Sequence, residues 1–177
     1  MHTSAIQAEV PSIDGCCVKE VYAFFGLVAY SAQVLENGAL NLAIVLRLPR
    51  VDQITKKDFD DLYQQLTQRT LGSLISAAKK VIEIPEDQEN ILKEAVTLRN
   101  YVTHHYFRDR ADDFVSASGQ EQMKREMQGF IATFTEADQV LASFYQPLWN
   151  KYGVTEEYIQ EQTNLLAEQA RERDKHA

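Results

Sequence analysis

The sequence predicts an all-α protein, a bundle of four to five helices. Apolar residues recur at helical spacing, the links between these stretches are short, and no stretch alternates apolar and polar residues as strands do. Glycine (7) and proline (4) are too scarce for a sandwich or barrel, which needs frequent turns. Because 177 residues make about one domain, we expect a single helical domain over residues 18–174.

The first helix should start near Val18, where apolar residues become frequent and helically spaced up to Leu46. The pair Asn37-Gly38 is also a turn signal, so this stretch forms either one continuous helix or two. Residues 1–17 lack periodicity, and we expect them to form a mobile tail.

The second helix has a clear starting signal. Thr55 with Asp58 three residues later is typical of an N-cap. The apolar positions that follow extend to Ile82, and Gly72 in the middle suggests a kink. A third helix should begin at Pro85, because proline suits the first turn of a helix, and run to about Phe107 or beyond.

The fourth helix is predicted to begin at Ser118, with Glu121 completing a capping box. Its apolar residues alternate at spacings of three and four, which indicates either a core stripe within the chain or a seam for antiparallel packing or dimerisation. They are Met123, Met127, Phe130, Phe134, Ala137, Leu141, Phe144 and Leu148. A last, peripheral helix with a thin apolar face is expected over residues 155–174.

Composition limits the function classes. A net charge of −8 argues against a protein that coats nucleic acid, although it allows a local phosphate site. The two cysteines, Cys16 and Cys17, are adjacent, which does not suit a disulfide framework or a structural zinc site. We therefore expect no metal, no cofactor and a cytoplasmic location.

We expect no membrane association. The longest uncharged run, Val21 to Leu35, is shorter than the roughly 20 residues that cross a bilayer. The first fifteen residues lack the basic start of a signal peptide. A di-iron bundle is set aside because no Glu-x-x-His occurs, and a helix-turn-helix reader because there is no basic recognition helix.

One segment carries chemistry, residues 98–110. It holds three of the nine arginines and two of the four histidines, a local basic region in an acidic chain. On a helical wheel, Arg99, Asn100, Thr103 and His104 form a polar strip beside the apolar face. Tyr106 lies next to the strip on the apolar face itself, and so it is either a core residue or a groove residue.

Arg99-Asn-Tyr-Val-Thr-His104-His-Tyr106 resembles the R-x4-H-x-Y signature of HEPN domains (higher eukaryotes and prokaryotes nucleotide-binding). The stretches Ala32–Glu36 (AQ-x-LE), Thr70–Ile75 (TLG-x-LI) and Arg99–Phe107 are similar to stand-alone bacterial HEPN-like proteins, which are largely uncharacterised. The resemblance covers about residues 20–160.

The resemblance implies a metal-independent endoribonuclease of the toxin–antitoxin or defence type, in which two subunits bring their Arg–His motifs to one cleft. His104 would be the base, Arg99 the phosphate clamp, and Asn100 a positioning residue. Tyr106 matches the tyrosine that a separate nucleotidyltransferase modifies in some systems. The implied partners are a second copy, an RNA substrate, and a nucleotidyltransferase or antitoxin.

Simpler interpretations stand beside these. Arg99 would pair with Glu94 or Asp109, His104 would be an exposed residue at a helix end, and Tyr106 would belong to the core. His105, on another face, is expected to be either a structural residue or a spare histidine. The alternative function is a non-catalytic dimeric helical module that binds a nucleotide, RNA or protein partner, and a third is a purely structural helical scaffold.

Overall fold

The computed structural model describes residues 18–50, 53 and 55–175, and within these ranges the chain is helical with no strand. The all-α prediction is confirmed, whereas the predicted count of four to five helices is too low. The eight helices of the described residues are α1 (Val18–Val45), α2 (Lys56–Leu66), α3 (Leu71–Ala78), α4 (Glu86–His104), α5 (Tyr106–Asp109), α6 (Ala111–Phe114), α7 (Ala117–Lys151) and α8 (Glu156–Lys175). The tail predicted over residues 1–17 lies outside the described residues.

Helix α1 is continuous through Asn37 and Gly38. Gly38 is buried where α1 crosses α7, and a Cβ there would overlap the carboxylate of Asp138. The glycine therefore allows close packing of two helices, and the packed helix overrides the local turn signal. Of the two interpretations that the sequence leaves open, one continuous helix is therefore the correct one.

The single helix predicted from Thr55 to Ile82 is wrong. Thr55 caps α2 with the expected capping box, but the helix ends at Leu66. Thr70 then caps α3 by accepting a hydrogen bond from the Ser73 backbone N–H. The break comes before Gly72 rather than at it, because a threonine cap starts a new helix there.

The predicted start of the fourth helix is also displaced. Helix α7 begins at Ala117, and Ser116, not Ser118, is its N-cap, accepting a hydrogen bond from the Gly119 N–H. The third predicted helix is α4 in the structure, and it ends at His104 rather than near Phe107. The segment between it and α7 forms the short helices α5 and α6. The last helix, α8, lies where it is predicted.

The core is formed mainly between α1 and α7, with α4 and α6 packed on α7, and α2 and α3 packed on α1. The predicted stripe of α7 packs into the core within the chain, as the intramolecular interpretation requires: five of its residues are buried, and Phe130, Phe144 and Leu148 are partly buried against the core. The contacts between Glu20 and Lys124, and between Gly38 and Asp138, show that α1 and α7 run parallel. The ring contact between Tyr101 of α4 and Phe130, and the bond from Tyr106 of the following α5 to Met123, show that this part of the chain runs antiparallel to α7.

Two polar side chains enter this core. Lys124 of α7 is fully buried, and its Nζ lies 2.7 Å from Oε2 of Glu20 in the first turn of α1. The Oδ1 atom of Asp138 is buried without a hydrogen-bond partner among the described residues. Burial raises the pKa of Asp138 to about 6, because desolvation disfavours the charged carboxylate.

Candidate functional site

The last turns of α4 carry the polar strip that the sequence predicts. Leu92, Ala95 and Val102 bury one face of α4 in the core, which fixes the rotation of the helix. The strip consequently borders the core on the side of α4 that faces α1 and solvent. We define the strip as Arg99, Asn100, Thr103 and His104.

Arg99 is held by an acid on another helix. Its Nε donates to Oε1 of Glu36 on α1 at 2.5 Å, and both side chains are about one-third exposed. Its Nη1 lies 3.4 Å from Oδ1 of Asn100. Pairing with Glu94 or Asp109 is therefore wrong, since the acid is supplied by the tertiary fold. The ion pair leaves the guanidinium with its Nη2 edge unused by these two partners.

The remaining residues of the strip face solvent. Asn100, Thr103 and His104 are exposed, and the Thr103 hydroxyl donates to the Arg99 carbonyl at 2.8 Å. His104 is the last residue of α4, and its ring packs edge-on against that of His105, with centroids 6.2 Å apart. Its exposed position at a helix end matches the simpler interpretation. It also leaves the ring accessible to a ligand.

Arg99 and His104 point to different sides of the helix. Five residues correspond to a rotation of about 140° around the helix axis. Arg99 accordingly turns toward α1, whereas His104 turns outward. One phosphate held by Arg99 is thus poorly placed for His104 of the same copy.

Tyr106 lies in the core. It is 1% exposed, and its hydroxyl donates to the Met123 carbonyl at 3.1 Å, with Oε2 of Glu126 at 3.4 Å. Burial, and next the charge of Glu126, raise the pKa of Tyr106 above its ordinary value. The core interpretation is the one that the structure shows, and a modifying enzyme would reach the phenol only after this segment opened.

The local positive charge predicted for residues 98–110 is offset by acids. Arg110 forms a two-pronged pair with Glu126, both distances being 2.8 Å, and Arg108 lies 3.3 Å from Asp109. Together with the Arg99–Glu36 pair, every arginine of the segment has a carboxylate neighbour. Glu36 and Glu126 are the site residues that sequence reasoning missed. Glu36 lies in the Ala32–Glu36 stretch already noted, but its spacing of 63 residues from Arg99 gives no local signal.

His105 forms a second, separate contact. Its Nδ1 lies 2.9 Å from Nη2 of Arg108, on a different side from the strip. The chain bends at His105, whose φ is −130° and ψ −30°, and this bend ends α4. His105 therefore makes a local structural contact, and it is exposed like His104.

The acidic helix α8 does not cover the strip. None of its residues is buried, and no other described helix packs along it. In the same ranges there is no cluster of three or more His, Cys, Asp or Glu side chains suited to a metal ion. No described helix has the length and apolar character needed to span a membrane.

Comparison of the chain with known proteins found no matching family, no similar curated protein and no similar solved structure.

Proposed function

We propose that this chain is a HEPN-like endoribonuclease in which Arg99 and His104 act together across a pair of copies. The observation that carries the proposal is the strip itself: an arginine anchored by Glu36 with an exposed asparagine beside it, and an exposed histidine on another side of the same helix end, which the core holds in place. A guanidinium held in this way is pre-ordered for a phosphate, because less side-chain freedom is lost on binding.

The chemistry needs a phosphate clamp and a base. Arg99 holds the scissile phosphate through its Nη2 edge and stabilises the charge that develops on it. His104 takes the proton of the RNA 2′-hydroxyl, since histidine side chains titrate near neutral pH. The 2′-oxygen then bonds to phosphorus, the bond to the 5′-oxygen breaks, and water supplies the proton of the leaving group.

Two copies are part of the proposal because of the angle between the two side chains. The rotation of about 140° separates Arg99 and His104 of one copy. When two strips face each other, Arg99 of one copy and His104 of the other approach the same phosphate. Asn100, beside the guanidinium, positions Arg99.

A second candidate, a non-catalytic dimeric module that binds a nucleotide, RNA or a protein, is favoured by a specific observation. Each arginine of residues 98–110 has a carboxylate neighbour, so a ligand phosphate must compete with Glu36 for Arg99. A binding module tolerates such competition more easily than a nuclease does.

The test is induced expression of the wild type, His104→Ala and His105→Ala, with growth and total RNA integrity followed together. We expect growth arrest and RNA cleavage with the wild type, their loss in His104→Ala, and their retention in His105→Ala. The latter is a matched control, because it removes an adjacent exposed imidazole from a different face. Cleavage by the purified protein should also persist in EDTA.

The outcomes separate the two candidates. Intact RNA with the wild type, together with retained RNA or nucleotide binding that Arg99→Ala abolishes, would establish the binding module instead. Equal cleavage by wild type and His104→Ala would remove His104 from the site. Circular dichroism of each variant checks that helical content is unchanged.

A further inference from the structure

Glu36 lies in α1, at the point where this helix comes beside the strip of α4. Its neighbour Leu35 is fully buried, and Gly38 packs against α7, so the core fixes the backbone that carries the carboxylate. The side chain itself is 33% exposed and is paired with Arg99. The fold therefore presents this acid to the arginine from a fixed position.

Glu36 also connects two helices that have little direct contact. Helices α1 and α4 both pack on α7 and touch each other much less. Within the part of the chain that the structure describes, the bond from Nε of Arg99 to Oε1 of Glu36 is the one side-chain hydrogen bond between α1 and α4. Glu36 is consequently the polar link between α1 and the strip.

The pair of Arg99 and Glu36 differs from the other cross-helix arginine pair of this region. Arg110 donates from both Nε and Nη2 to the two carboxylate oxygens of Glu126, so this edge of its guanidinium is fully used. Arg99 donates to Glu36 from Nε alone, and its Nη2 has no hydrogen bond to any described residue. A one-pronged pair holds the guanidinium and still leaves a donor for a ligand.

The carboxylate of Glu36 has two opposite effects on a phosphate at Arg99. It restricts the rotamers of the arginine before the ligand binds, which favours a defined geometry. Its negative charge repels the phosphate, which weakens binding. Substitutions separate the two effects. Glutamine keeps an acceptor oxygen for Nε and removes the charge, whereas alanine removes both.

We propose that Glu36 is a positioning residue, which orients Arg99 through Nε so that Nη2 is free for one oxygen of a phosphodiester. Its effect on RNA cleavage rests on the proposed nuclease function, whereas the orientation of Arg99 does not. Glu36 acts through Arg99 and contacts no reacting atom.

The first experiment observes the arginine Nε–H groups of the full chain by ¹⁵N-edited NMR, without RNA. We expect a slowly exchanging signal from Arg99, identified by its loss in Arg99→Lys, because a hydrogen-bonded Nε–H is protected from water. The signal should be lost to exchange in Glu36→Ala and persist in Glu36→Gln. The signal of Arg110, which Glu126 holds, is the internal control and should remain in every variant. Equal protection of Arg99 in the wild type and Glu36→Ala would overturn the proposal.

The second experiment measures kcat and KM for RNA cleavage. Glu36→Ala should lower kcat about tenfold to hundredfold, because a misplaced Arg99 stabilises the transition state less well. Glu36→Gln should keep kcat within about threefold of the wild type and lower KM, since the repelling charge is gone. The matched control is Glu94→Ala, which removes an exposed acid of α4 that forms no pair with Arg99 and should change neither value.

Failure of the positioning role and failure of the nuclease function give different results. A kcat in Glu36→Ala equal to that of the wild type would overturn the positioning role and leave the nuclease function in place. An equal loss of kcat in the alanine and glutamine variants would also overturn it, because the charge alone would then account for the effect. No cleavage by the wild type would overturn the nuclease function, and the NMR signals would then decide the orientation of Arg99 alone. Circular dichroism checks that each variant keeps its helical content.

Discussion

Helices α7 and α8 follow one another along the chain, but other helices cover the apolar side of α7 and not that of α8. Helix α7 has 35 residues, and its apolar stripe is buried against α1, α4 and α6. Helix α8 has 20 residues, and its apolar positions are exposed. Both show helical spacing of apolar residues in the sequence. The spacing thus identifies the apolar face of a helix but does not tell what covers it.

The largest expected effect on the free energy of unfolding comes from a substitution that removes an aromatic ring from the buried face of α7. Phe134 is fully buried, so Phe134→Ala should lower the free energy of unfolding by about 3 to 5 kcal/mol. Leu166→Ala on α8, measured in dilute protein, should change it by less than about 0.5 kcal/mol. Urea unfolding followed by circular dichroism measures both. Equal effects would mean that α8 is covered as α7 is.

A second difference concerns carboxylates, which α8 keeps in solvent and α7 partly buries. The pKa of Asp138 is raised to about 6 in the folded chain, against 3.8 as the ordinary value. Between these pH values the folded state binds the proton and the unfolded state does not, so stability falls as pH rises from about 4 to 6. The fall should be about 3 kcal/mol, the free energy that corresponds to raising a pKa from 3.8 to about 6.

Asp138→Asn should abolish this part of the pH dependence and stabilise the protein at pH 7. The control is Glu136→Gln, an exposed acid two residues earlier, which should leave the pH dependence in place. Chemical unfolding at a series of pH values between 4 and 8 makes the comparison. A fall of equal size in Asp138→Asn would assign the titration to another group.

The start of α7 gives a further contrast between covered and open positions. A Cβ on Gly119 would overlap the backbone of Asp113 in α6, so Gly119→Ala should destabilise by about 1 to 3 kcal/mol. Gly129, on the open side of α7, has no atom within 4 Å of an added Cβ. Gly129→Ala should stabilise by about 0.5 to 1 kcal/mol, because alanine favours the helix. Thermal unfolding of the two variants should move in opposite directions.

The smallest expected free energy is that of the local unfolding of α8. In dilute protein, its backbone amides should exchange with deuterium far faster than those of central α7, since exposed segments open at little cost. Raising the protein concentration should slow exchange in α8 alone if copies pair there. Exchange measured by mass spectrometry at two concentrations distinguishes these cases. Slow exchange in α8 at the lower concentration would indicate that the isolated helix is stable.

The helices themselves could be predicted because their signals are local. The cap at Thr55 and the stripe of α7 from Met123 to Leu141 depend on residues three or four positions apart. The interruption before Thr70 was missed, because a threonine cap inside an apolar stretch competes with a continuing helix. The sequence leaves open whether the helix continues through Gly38, because the packing of this residue involves a distant one, Asp138, one hundred residues later.

In the candidate site, too, some features follow from local spacing and others depend on long-range contacts. The helical wheel places Arg99 at the edge of the apolar face, where the structure finds it half-buried, and the exposed His104 agrees with the simpler interpretation of a residue at a helix end. The partner of Arg99 could not be found by spacing, as Glu36 reaches it only through the packing of α1 on α4. The burial of Tyr106 likewise depends on Met123 and Glu126 of α7. Long-range contacts thus decide which polar residues remain accessible.

The buried pair of Lys124 and Glu20 makes it possible to measure how often the start of α1 detaches from α7. The other eight lysines are exposed, whereas the amine of Lys124 is closed off between α7 and the first turn of α1. Amine-reactive reagents should label those eight quickly and Lys124 only when the start of α1 detaches from α7. The labelling rate at this one position therefore measures how often that detachment occurs, and peptide mass spectrometry can follow it without substituting any residue.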